Sequence, residues 1–150
     1  MYNGGFFGIL GEGAVIKNVN FSANMAGAIG LIAHQGQAAT IENVRIDFIS
    51  APTATRGGAM VGLFGGDMTY KDVTINAQGK DIICVFGVKL AYGAGGYKTT
   101  VPNCTNVVVN AKSVFCIGCK EGGIYKKDTT EPSNDHIAQP KGYTFNKTEA

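Results

Sequence analysis

Tryptophan is absent from this chain, and charge is scarce: only 16% of its 150 residues are Asp, Glu, Lys or Arg. The 13 basic residues are scattered and nearly balanced by 11 acidic ones, which excludes the basic stripe of a nucleic-acid binder. No apolar run approaches the roughly 20 residues of a membrane-spanning helix, so no membrane insertion is expected. Met1 leads into Tyr2-Asn3-Gly4-Gly5 without a basic segment and an apolar one behind it, so no signal peptide is read. Histidine is limited to His34 and His136, both expected on surface loops. Serine-nucleophile, zincin, Walker A and zinc-ligand spacings are all missing, and nothing implies a cofactor or a metal. The cysteines at 84, 104, 116 and 119 are too sparse for a secreted disulfide scaffold and read as buried apolar thiols. Cys116-x-x-Cys119 has no second pair, and a strand would send its two sulfurs to opposite faces.

Glycine, in contrast, is abundant, with 22 copies. Much of it falls into one of two alternating phrases. The first is Gly between large apolar residues: Phe7-Gly8-Ile9, Ile29-Gly30-Leu31, Val61-Gly62-Leu63, Phe86-Gly87-Val88 and Ile117-Gly118-Cys119. The second is apolar-x-Asn/Asp-Val-x-apolar, centred on Asn18-Val19, Asn43-Val44, Asp72-Val73 and Asn106-Val107. Gly8 to Val19, Val19 to Gly30, Gly62 to Val73 and Val107 to Gly118 are each 11 residues. Two half-coils of this length make a coil of about 22, a period that signals repeat architecture.

The phrases are rich in Val, Ile, Thr and Phe with period-two alternation, which reads as strand rather than helix. The expected fold is therefore all-β: a right-handed parallel β-helix, or solenoid, of about five coils over residues 1–120. A non-repetitive tail, 121–150, is expected to cap its C-terminal end, with a final strand near Gly142-Tyr143-Thr144-Phe145. On the glycine strands, the residues flanking Gly are expected to point inward. Their outer neighbours, Phe6/Leu10, Ala28/Ile32 and Met60/Phe64 and then Val85/Lys89 and Cys116/Lys120, would then form a face whose first three coils are apolar and need covering. Asn18, Asn43, Asp72 and Asn106 are expected to stack as a structural ladder at a corner, because Asn and Asp tolerate left-handed backbone.

Gly27-Ala28-Ile29-Gly30-Leu31-Ile32 with Ile41-Glu42-Asn43-Val44, and Gly58-Ala59-Met60-Val61-Gly62-Leu63-Phe64-Gly65 with Asp72-Val73, resemble the GLUG-type repeats of bacterial surface proteins. The resemblance spans roughly residues 5–119. It implies a right-handed β-helix at a bacterial cell surface or outside the cell, with an adhesin-like or carbohydrate-associated role and no catalytic residues to carry over.

Where the count exceeds 11, loops are expected, and loops carry function. Candidate ligand loops are His34-Gln35-Gly36-Gln37 and 89–100, so His34, Gln35, Tyr92, Tyr97 and Lys98 are the candidate binding residues. A third, plain loop is expected at 51–57. Glu42 and Asp47 are taken to meet Lys17/Asn20 and Lys71/Thr74 across coils, leaving no carboxylate pair for glycoside chemistry. Repeat phrasing begins by residue 5 and leaves the first coil without an obvious cap, so the chain is expected to be a fragment of a longer protein with an added or accidental Met1. Its expected role is that of a non-catalytic module for adhesion or for binding carbohydrate or a host ligand. The alternatives are a truncated carbohydrate-active enzyme, of polysaccharide lyase or glycosidase type, and a purely structural spacer. Expected partners are such a ligand, neighbouring domains, or other copies joined end to end or face to face.

Overall fold

In a computed structural model, residues 5–25, 30–50, 58–65, 67–89, 101–118 and 137–149 are described. They form nine strands: β1 (Phe7–Leu10), β2 (Val15–Asn24), β3 (Ala33–Gln37), β4 (Thr40–Ser50), β5 (Val61–Gly65), β6 (Thr69–Cys84), β7 (Val88–Lys89), β8 (Asn103–Cys116) and β9 (Tyr143–Lys147). No helix occurs among the described residues. Through β8, successive strands alternate between two sheets, one ordered β1-β3-β5-β7 and the other β2-β4-β6-β8-β9. Every pairing in both sheets is parallel. The described residues are thus all-β, in parallel sheets only.

Across the five-stranded sheet, the stretch around each buried Val keeps one register. Val19, Val44, Val73, Val107 and Tyr143 stand in one column, and Phe21, Ile46, Ile75, Val109 and Phe145 in another. The middle members are fully buried: Ile46, Val73, Ile75, Val107 and Val109 are 0% exposed. Removing such a side chain from water contributes about 1.5–3 kcal/mol, so these two columns supply much of the drive to stack. They meet Leu10 and Phe64 of the other sheet in a single apolar core. Side chains of one type repeat at one height because parallel pairing in fixed register leaves each position the same volume to fill.

The four-stranded sheet departs from the sequence expectation in two ways. First, β1 pairs Phe7 with Ala33, and β5 pairs Val61 with Ala33. Ala33 therefore takes the place expected for Ile29, four residues on, and the second glycine strand is Ala33–Gln37. Gly30 lies before that strand, pressed against backbone: a Cβ there would sit 2.6 Å from the Ala33 carbonyl oxygen and 2.7 Å from the Gly62 nitrogen. It is a glycine of close approach, as is Gly58, three residues before Val61. His34-Gln35-Gly36-Gln37 is consequently strand, not an inserted loop.

Second, the expected facing holds only in part: Leu31, Val61 and Phe86 are buried in the core as expected and Phe6 is exposed, but other positions are reversed. Leu10, Ile32, Met60, Phe64, Val85 and Cys116, placed outside by sequence, are buried at 0–4% exposure. Phe7 and Ile9, expected inside, are 45% and 61% exposed, and Leu63 is only half-buried. The continuous apolar runs Leu31-Ile32-Ala33 and Met60-Val61 are buried along their whole length, so alternation has no polar partner there to mark the inner face. Most of the apolar face expected to need a cover is the interior itself. Leu63 instead packs outside the main core in a small cluster with Ile83, Cys84, Phe115 and Cys116. At Gly36 the missing side chain is replaced by Met68, whose Cε would lie 3.0 Å from a Cβ there.

Residues 51–57, 90–100 and 119–136 lie outside the described residues, and with them the loop expected at 51–57, most of that at 89–100, and the first part of the tail. The tail's last part is clear. β9 pairs with β8, Val107 with Tyr143 through Ala111 with Lys147. Beyond it, the Thr148 amide donates to the Ala111 carbonyl (2.8 Å), and its hydroxyl accepts from the Gly79 amide (3.1 Å). Gly79 sits in a bulge of β6 between Ala77 and Asp81, so the chain end fills the irregularity of a strand 69 residues earlier.

Candidate functional site

Asn18, Asn43, Asp72 and Asn106 all carry left-handed backbone, with φ of 59°, 49°, 52° and 51°. Each interrupts its strand just before the buried column residue, turning the chain while pairing continues on both sides. The Asn43 amide donates to the Asn18 side-chain oxygen (2.8 Å), and the Asn106 amide donates to the Asp72 carboxylate (3.0 Å). A carboxylate only accepts, so the chain of amide donors is interrupted between Asn43 and Asp72. Gly142 occupies the fifth place in this column, immediately before Tyr143, with φ of 85°. A Cβ there would strike the Cys104 carbonyl, so only glycine fits both the conformation and the space.

A second ladder runs four residues further along the strands, where sequence reasoning placed nothing. Asn146 donates to Asn110 (3.0 Å), Asn110 to Asn76 (2.8 Å) and Asn76 to the Asp47 carboxylate (2.9 Å). The Arg45 Nε donates to both carboxylate oxygens of Asp47 at 3.2 Å. The cross-strand neighbours of Asp47 are therefore Ser22 and Asn76, not the expected Asn20 and Thr74. The signal was present in the sequence as an Asn or Asp three places after each column residue: Asp47, Asn76, Asn110 and Asn146 follow Val44, Val73, Val107 and Tyr143.

The Asn76 amide, and then the Arg45 guanidinium, hold the Asp47 carboxyl below its usual pKa. A charged carboxylate thus terminates a chain of amides all oriented the same way, and Arg45 balances it from the solvent side. Arg45, Asp47, Asn76, Gln78, Asn110 and Thr148 line a shallow groove of about 500 Å³. Donor-only guanidinium, acceptor-only carboxylate and two-way amides stand side by side there, a set able to hold vicinal hydroxyl groups. Glu42 lies on the neighbouring column with Lys17 and Lys71 as expected, 3.6 Å from the Lys71 ammonium.

Of the sequence candidates for ligand binding, His34 and Gln35 lie on β3, half-buried, in the columns of Gly62 and Leu63. Tyr92, Tyr97 and Lys98 lie outside the described residues. The groove, on the other sheet, is built from residues that the sequence reading did not select. Cys84 and Cys116 are buried, and burial pushes the half-buried Cys104 thiol up to about 12. Among the described residues no group of three His, Cys, Asp or Glu side chains could hold a metal ion. No protein-family model matches the chain, and no curated protein or solved structure matches it detectably.

Proposed function

We propose that the chain is a right-handed parallel β-helix of about five coils that serves as a non-catalytic, secreted or cell-surface binding module for carbohydrate. The observation carrying this reading is the alternation of strands between two wholly parallel sheets. A chain that crosses from sheet to sheet and returns each time beside its previous strand traces a coil. Crossovers between parallel strands of one sheet are right-handed in about 98% of cases, which favours that hand. The GLUG-type phrasing supports the same architecture and the bacterial surface setting.

The ligand class follows from the groove. Its ladder side chains are held in place by one another, so a polyhydroxyl ligand would meet donors and acceptors already oriented, at little ordering cost. Arg45 and Gln78 are exposed at the groove. A glycan array followed by calorimetry tests the reading. Binding to one glycan class that falls at least about tenfold in Arg45→Ala and Gln78→Ala is the expected result; tenfold corresponds to about 1.4 kcal/mol. Loss of binding only in Tyr92→Ala or Tyr97→Ala would move the site to the 89–100 segment. Release of reducing ends or unsaturated products from a polysaccharide panel would replace the reading with an enzyme. Silence across the array would leave a structural spacer.

A further inference from the structure

We propose that copies of this chain stack head to tail, with β9 of one copy pairing in parallel with β2 of the next. β2 and β9 are the two edges of the five-stranded sheet. Five of the six exposed large apolar side chains among the described residues belong to the two ends: Phe6, Phe7, Ile9 and Val15 at one and Phe145 at the other. Phe6, 71% exposed, lies over Phe21 with ring centroids 5.4 Å apart, so the first end presents an aromatic pair. Unpaired strand edges that also expose apolar side chains are templates for further pairing.

The occupant is a second copy because the columns continue in only one way. Each internal step places like on like, from Val19 through Val107 to Tyr143 and from Phe21 through Val109 to Phe145. The next step in the same register sets Tyr143 against Val19 and Phe145 against Phe21 of the following copy. It also sets Gly142 against Asn18, two positions with the same left-handed backbone. Asn146 then faces Ser22, whose hydroxyl can donate to the amide oxygen that ends the second ladder. The contact joins two different surfaces, so it propagates rather than closing into a dimer. The same register brings Lys141 over Lys17. Like charges directly opposite oppose pairing, so association should strengthen as salt screens them.

Analytical ultracentrifugation over a concentration series tests the proposal with the full chain. Wild type is expected to grow beyond dimer with concentration, and more readily at high salt. Phe6→Glu/Val15→Lys blocks one end, and Phe145→Lys the other. All three side chains are exposed, so both variants should keep the wild-type circular dichroism. Each alone should associate at least about tenfold more weakly than wild type. Mixed in equal amounts they should form a discrete one-to-one dimer, because each supplies the end the other lacks. Ile49→Lys changes a side chain as exposed as these but on the inner strand β4, and should assemble like wild type. A strictly monomeric wild type, a mixture that stays monomeric, equal damage by Ile49→Lys, or weakening by salt would each overturn the proposal.

Discussion

Tyr70→Phe should make this protein more stable. Tyr70 is 0% exposed at the centre of the core, its ring 5.0 Å from that of Phe86, and its hydroxyl has no hydrogen-bond partner. Burying a hydroxyl without a partner costs about 1–3 kcal/mol. Phenylalanine retains the ring and its contact with Phe86 and gives up only the oxygen, whose vacated volume costs a few tenths of a kcal/mol, roughly. The net expectation is a gain of about 1–2 kcal/mol, or about 2–8 °C in Tm for a chain of this size. Urea unfolding should show a higher midpoint with an unchanged slope, since the surface exposed on unfolding is nearly the same. Burial also pushes the Tyr70 hydroxyl far above its ordinary pKa of 10.0. A raised folded-state pKa contributes stability that is complete below pH 10 and declines as pH rises above it. Tyr70→Phe should therefore also flatten the loss of stability on the alkaline side. Tyr70→Ala serves as the control and should lose about 3–5 kcal/mol, as a large aromatic removed from a core does. If Tyr70→Ala is severe and Tyr70→Phe is also destabilising, the hydroxyl is partnered and the reasoning fails.

Three further outcomes follow from the ladders. Asp72→Asn supplies the missing donor between Asn43 and Asp72 while still accepting from Asn106, and should raise stability by about 0.5–1.5 kcal/mol in urea titration. Gly142→Ala forces a Cβ onto the Cys104 carbonyl at a φ that side chains disfavour. It should cost more than about 1 kcal/mol and release β9 first, seen as faster amide exchange at 143–147 than in β6. The lowered pKa of Asp47 contributes stability that is present above its ordinary value of 3.8 and lost as pH falls through the folded value. The advantage of wild type over Asp47→Asn should hold at neutral pH and disappear below that value in acid titration.

The five-stranded sheet was legible because its signals are local and redundant. Val44, Val73 and Val107 each follow a left-handed Asn or Asp, and the next apolar column residue stands two places on, so period and face are specified together. Gly142 hid the fifth copy of that phrase: it meets the same backbone requirement as Asn106 but carries no side chain to recognise. The four-stranded sheet was not legible in the same way. Leu31-Ile32-Ala33 offers apolar residues to either face, and both Gly30 and His34 compete for the place opposite Gly62. The groove escaped notice for a different reason. Its members, Asp47, Asn76 and Asn110, are separated by 29 and 34 residues, and they become neighbours only through the register of Val44, Val73 and Val107.

By itself, then, the sequence determined that the chain is built of alternating strand phrases, that Asn or Asp turns the backbone before the buried column in four of them, and that branched apolar residues would fill the interior. Only the tertiary structure decided which face of the glycine strands is interior and which residues stand beside one another across strands. The physical reason is that side-chain direction reverses with every residue of a strand. Local composition can show that a strand exists, but packing against the opposite sheet selects its face. That choice makes Phe64 and Met60 core, leaves Ile9 in solvent, and lines up Asp47, Asn76 and Asn110 as one continuous polar edge.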